Sequence, residues 1–137
     1  MILIGSGVLI DVWRDSTGVA GSVLMAVVGN EEIVMTRPIE MELIAGAASD
    51  QDKAVIAQYV TSKRMLELSP STWRDAAELY YSLRRKGVTI RRLFECCIAQ
   101  VALENSLLLI HDDRDFTAMA PHYPLAEYRL SLKAISP

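Results

Sequence analysis

Aromatic side chains make up only 7% of the 137 residues, and there are just two cysteines and two histidines. With so few rings, Leu, Ile, Val and Ala must fill the core, as they do where helices pack on a sheet. Hydrophobic residues reach 51% of the chain, which excludes disorder. Cys96 and Cys97 are adjacent, lack a third or fourth ligand nearby and cannot easily bridge to each other. They read as two small core hydrophobes. No apolar run approaches the roughly 18 residues of a membrane span, and the start lacks the basic segment of a signal peptide. A cytoplasmic protein without membrane contact is expected. Seventeen acidic residues against fourteen basic ones give a net charge of -3, which argues against a broadly basic nucleic-acid surface but leaves room for a local patch.

What is present is an alternation of strands and helices. Residues 1–4 read as a buried strand, 6–13 as a short helix and 18–28 as an apolar helix stopped by Gly29 and Asn30. A second strand covers 32–35, and Thr36 caps a helix that carries Pro38 in its first turn and ends at Gly46. Further on come a helix over 50–60, a strand over 65–68, and a long helix capped by Ser69 or Ser71 and terminated by Gly87. The apolar helix "LFECCIAQVALEN" precedes the strongest strand, "SLLLIH", which runs into "DDRDF"; a last strand covers 126–130. This alternation predicts one α/β domain over residues 1–137, with a mainly parallel sheet, helices on both faces and a working site at the carboxyl ends of the strands.

Several acids stand where burial makes them costly. Glu95 occupies the first turn of an otherwise apolar helix and Glu42 sits within "EMELIAGA", while Asp113 and Asp115 follow the core strand. Glu95 taken alone also fits a solvated or helix-capping acid, while a polar turn is the alternative for Asp113 and Asp115 and the better reading of Asp112. Glu40 points to another side of its helix and reads as a surface acid. Carboxylates gathered from three segments repel unless a divalent cation neutralises them, and an oxygen-only set suits Mg²⁺ or Mn²⁺ acting at phosphate. His111 ends a strand and His122 lies in "APHYP"; neither has an evident nucleophile or ligand partner.

The stretches "PIEMELIAGA", "AAELYYSLRRKGVTIRRLFECCIA" and "HDDRDF", together with the opening "MILIGSGVLID", resemble the VapC-type toxins of the PIN-domain ribonuclease family. The resemblance implies a three-layer α/β/α sandwich, usually dimeric, whose acidic pocket holds Mg²⁺ or Mn²⁺ for cleavage of an RNA such as tRNA or rRNA. It also implies a VapB-type antitoxin partner. Carried over residue by residue, Glu42, Glu95 and Asp113 match the metal ligands, Asp115 stands beside them as support, and Ser6 matches the hydroxyl residue after the first strand. Two positions depart from the family pattern. Gly5 stands where the family has an aspartate, and Glu95 where it usually has a shorter one. Weak metal binding and attenuated or absent cleavage follow as expectations, and a catalytically silent module that only binds an antitoxin or RNA is the alternative. In "RRKGVTIRR", Arg84, Arg91 and Arg92 are candidates for holding RNA phosphates at the pocket rim, although basic residues at a helix end also sit comfortably in solvent. Tyr80, Tyr81 and Leu83, on the long amphipathic helix, are candidates for a dimer surface.

Overall fold

The computed structural model describes residues 1–135. Its five strands are β1 (Ile2–Ile4), β2 (Ile33–Thr36), β3 (Arg64–Leu66), β4 (Leu108–His111) and β5 (Glu127–Arg129). All are paired in parallel in the order β3-β2-β1-β4-β5. Parallel neighbours need crossover connections, and the helices supply them. They are α1 (Ser6–Arg14) and α2 (Val19–Val28) after β1, α3 (Arg37–Ala45) and α4 (Asp50–Thr61) after β2, α5 (Pro70–Arg85) and α6 (Leu93–Asn105) after β3, and α7 (Arg114–Met119) after β4.

The chain steps outward from β1 to β2 and β3, then returns to the far side of β1 for β4 and β5. Right-handed crossovers, the usual form, therefore sort α1–α4 to one face and α5–α7 to the other. The packing agrees: α1 lies against α2 and α3, and α3 against α4, while α6 lies against α5 and α7. The central strands β1 and β4 are apolar because both faces are covered, and Leu3, Ile4, Leu109 and Ile110 are all buried. The strand order reverses between β1 and β4, where an open α/β sheet leaves a crevice at its carboxyl edge. Gly5 N–H donates to Ile110 O at 2.8 Å and holds the two strand ends side by side.

Local chemistry sets the element ends. Ser69 caps α5 through a reciprocal box in which its Oγ accepts from Thr72 N–H at 3.2 Å and Thr72 Oγ1 accepts from Ser69 N–H at 3.3 Å. Gly87 follows the helix at φ 82°, a backbone conformation that other residues adopt at a cost. Three expectations need revision. The Thr36 hydroxyl does not cap α3; it donates to Leu66 O at 3.1 Å and ties β2 to β3. Strand β4 starts at Leu108, two residues later than the pattern suggests, because Ser106 caps α6 in the left-handed conformation. "DDRDF" is no simple turn, since α7 begins within it.

Leu109 is wholly buried in β4 and Ser69 lies at an exposed helix end. Leu109→Ala is expected to cost about 2–5 kcal/mol and Ser69→Ala about 1 kcal/mol in urea unfolding. Equal costs for the two would contradict this placement of the core.

Candidate active site at the strand ends

The crevice between β1 and β4 is a cavity of about 240 Å³. Gly5 and Ser6 enter it from the end of β1, His111, Asp112 and Asp113 from the end of β4, Glu42 from α3, and Arg92 and Glu95 from the start of α6. Contact between α3 and α6 brings the two glutamates into one space. Ile10, Ile98 and Phe116 form apolar walls.

Glu95 is only 3% exposed, and among the described residues no hydrogen bond reaches its carboxylate. Burial pushes its pKa up to about 8; the charges of Glu42 and Asp113 push the same way, and Arg92 opposes them. Glu42 is also raised, chiefly by burial, with Arg92 pulling it down and Asp113 adding a smaller push upward. Arg92 Nη1 reaches Glu42 Oε2 at 3.5 Å. Asp113 has a double role: as the cap of α7, its Oδ1 accepts from Asp115 N–H at 2.9 Å, and the same oxygen meets Arg91 Nη2 at 3.4 Å.

His111 positions Asp113. Its Nδ1 accepts from Asp113 N–H at 3.0 Å, so Nε2 carries the proton and donates to Glu127 Oε2 at 3.3 Å. The ring is 1% exposed and stands edge-on to Phe116, and burial holds its pKa below the usual range. The histidine read as partnerless from the sequence is therefore a neutral spacer between β5 and the acid.

The cavity brings together Ser6, Glu42, Glu95 and Asp113 with Arg92, but not every candidate. Asp115 is buried outside it, where its Oδ2 accepts from Arg91 N–H at 3.2 Å and its Oδ1 lies 3.7 Å from Arg91 Nε. It thus anchors the segment before α6. Arg84 does not line the cavity either; its guanidinium lies 5.8 Å and 5.9 Å from the ring centres of Tyr80 and Tyr81. Arg91 is held at the rim by the two aspartates. Asp112 is more than a turn residue, since it lines the cavity and meets Arg129 Nε at 3.1 Å. Asp11 and Lys133 also line the cavity and were missed. Asp11 carried a signal, an acid amid "VLIDVW", but Lys133 is brought in only by the course of the chain after β5. Cys96 and Cys97 are buried free thiols, as read, and burial pushes Cys96 up to about 12.

Residues 2–121 match the family model of the PIN domain. The chain belongs to the PIN domain family. This PIN domain is 29% identical over 123 residues to Ribonuclease VapC11 of Mycobacterium tuberculosis, spanning 88% of this chain and 92% of that protein. A VapC ribonuclease of Mycobacterium bovis is similar to the same extent. Among solved structures, VapBC2 from Rickettsia felis bound to a promoter DNA fragment matches with a TM-score of 0.74 at 14% identity, covering 96% of this chain and all of that one. DNA-bound VapBC from Salmonella typhimurium matches with a TM-score of 0.75 at 15% identity over 94% of this chain and 98% of that one.

An oxygen-only donor set facing one cavity fits a hard dication in kind. It is not closed, however: among the described residues no three His, Cys, Asp or Glu side chains are arranged to hold an ion. Gly5 is where a further acid could close it. Its backbone is extended (φ -65°, ψ 153°), and a Cβ there would lie 3.5 Å from His111 Cβ and from Ile110 O, ordinary contact distances. An aspartate would therefore enter without strain.

Because the folded pKa of Glu95 lies above its ordinary 4.5, unfolding releases a proton between about 4.5 and about 8, and stability falls as pH rises through that window. In chelator, Glu95→Gln is expected to stabilise the protein by about 1–3 kcal/mol at pH 8 and to change little at pH 4.5. Thermal melts that show a loss at pH 8 would contradict the raised pKa.

Proposed function

We propose that this PIN domain, spanning residues 1–137, is a VapC-type ribonuclease toxin of a toxin–antitoxin pair, acting on RNA in the cytoplasm and attenuated by Gly5. The observation that carries the reading is the convergence of Glu42, Glu95 and Asp113 on one cavity at the reversal of strand order, in a chain similar to VapC ribonucleases along most of its length. Glu42, Glu95 and Asp113 are the residues that would hold Mg²⁺ or Mn²⁺. The chemistry such an ion supplies is activation of water and neutralisation of charge at phosphorus.

The chain's own groups do the rest. Arg92 neutralises Glu42 when the cavity is empty of substrate, and its exposed guanidinium can turn to an RNA phosphate. Arg91, tied by its backbone to Asp115, offers a second phosphate contact at the rim. The Ser6 hydroxyl, at the first residue of α1, orients a water or phosphate oxygen by hydrogen bonding. Ile98 and Phe116 keep the acids in a low-dielectric wall where small shifts in charge matter. Glu95 reaches about one methylene further than an aspartate, and a ~1 Å misplacement in a catalytic site costs on the order of 10²-fold.

The partner is a VapB-type antitoxin, supported by the VapBC complexes among the structural neighbours. For a homodimer, α5 offers the exposed Trp73 and Tyr81; Leu83 is fully buried within the chain and belongs to its core. Gly5 and the arginine pairing of two of the three acids also favour the silent binding module as a second reading.

The test is cleavage of mixed tRNA and rRNA by this protein and its Gly5→Asp variant, with Mg²⁺ or Mn²⁺ and with EDTA. The expected outcome is metal-dependent cutting by the variant, on the order of 10²-fold faster than the parent. Equal cutting by both would remove the attenuation claim, and silence from both would favour the binding module.

A further inference from the structure

Helix α6 is buried from Glu95 to Ala99, yet its first turn opens with Leu93, 58% exposed, and Phe94, 37% exposed. A lone exposed apolar side chain needs no explanation; the place of this one does. Of the other exposed aromatic residues, Trp73 and Tyr81 lie on α5 and Tyr128 on the edge strand β5. Phe94 stands between Arg92 and Glu95, both of which line the cavity. Its Cα is about 3.8 Å from that of Glu95, and its side chain leaves the helix about 100° around the axis from the glutamate. Phe94 does not itself line the cavity, so its exposed ring lies outside, within one turn of the wall. The two preceding residues span the mouth. Arg91 Nη2 reaches Asp113 Oδ1 at 3.4 Å and Arg92 Nη1 reaches Glu42 Oε2 at 3.5 Å, so the segment entering α6 bridges the end of β4 and α3. Both arginine side chains remain about half exposed or more.

We infer that Phe94 is a stacking platform for one base of a single-stranded RNA whose adjoining phosphates are held by Arg91 and Arg92. This rests on the RNA reading above and adds a base contact to it. An exposed aromatic face beside exposed cations is the pairing that holds single strands, the cations following the backbone and the ring carrying a base. A protein surface fitted to Leu93 and Phe94 would have to desolvate both arginines, whereas an RNA strand supplies phosphates for them. The contact is tolerant of sequence, since every base has a π-face. A base splayed onto Phe94 sets the adjoining phosphate at the mouth of the cavity, beside Arg92.

The test is fluorescence anisotropy of the full chain at low salt, in EDTA to prevent cutting. One probe is a labelled single-stranded RNA; the other is a matched oligomer of abasic ribose phosphates, which keeps the charge and has no base to stack. Phe94→Ala is expected to weaken RNA binding about tenfold, within the range of one lost base stack, and to leave the abasic oligomer unchanged. Phe94→Trp should restore the affinity. Phe94→Leu, which keeps an apolar side chain without a π-face, should bind like Phe94→Ala. Arg92→Ala should weaken both oligomers alike. Full RNA affinity in Phe94→Ala or Phe94→Leu would overturn the inference and leave Phe94 to an apolar contact with a protein partner. An equal loss for both oligomers in Phe94→Ala would overturn it too, by marking a merely structural role. Failure of the parent to bind RNA at all would instead remove the RNA reading, and the platform with it.

Discussion

Mutual repulsion among carboxylates gathered in one crevice is the constraint on which this structure turns. A sheet whose strand order reverses between β1 and β4 opens a crevice at its carboxyl edge, and the chain lines that crevice with Glu42, Glu95 and Asp113. Burial disfavours the charged forms of Glu95 and Glu42, and the charges of Glu42 and Asp113 add to the cost at Glu95. Arg91 and Arg92 answer two of the three acids, while Glu95 is answered by taking up a proton. Such an arrangement gives up stability to gather acids in one cavity.

The surrounding groups fix the acids in place. Asp113 is held from three directions, by the His111 ring behind its backbone, by the α7 helix it caps, and by Arg91. His111 can do this because burial keeps it neutral and the Glu127 carboxylate fixes which nitrogen carries the proton. Asp115, turned away from the cavity, anchors the backbone of Arg91 and so the approach to α6. The corner opposite is looser, since Gly5 contributes a backbone hydrogen bond and no side chain.

The parts of this architecture legible in the sequence were those with a strong local signal. The apolar helix over residues 93–105 was read to its ends, and the central strands were evident from runs of Leu and Ile. Glu42 and Glu95 stood out because acids amid apolar neighbours demand a reason, and Asp113 because it directly follows the core strand. Asp11 carries the same signal in "VLIDVW" and was overlooked because α1 also reads as an ordinary amphipathic helix. Helix α7 was missed because six residues offer too little periodicity, and because its cap is the acid assigned to the site. Lys133, Asp112 and the His111–Glu127 pair come together only through the pairing of β4 with β5 and the chain that follows, which no local pattern encodes.

Gly5 is the position at which a side-chain acid would join Glu42, Glu95 and Asp113 in the cavity, and among the described residues no three of the acids present are arranged to hold an ion. The most direct measurement compares the thermal stability of the parent and Gly5→Asp in chelator and in excess Mn²⁺. A fourth acid is expected to lower the melting temperature in chelator, where repulsion is unanswered, and to raise it above the parent's in Mn²⁺, where binding to the folded state adds stability. A variant at least as stable as the parent in chelator, or one that gains nothing from Mn²⁺, would contradict it.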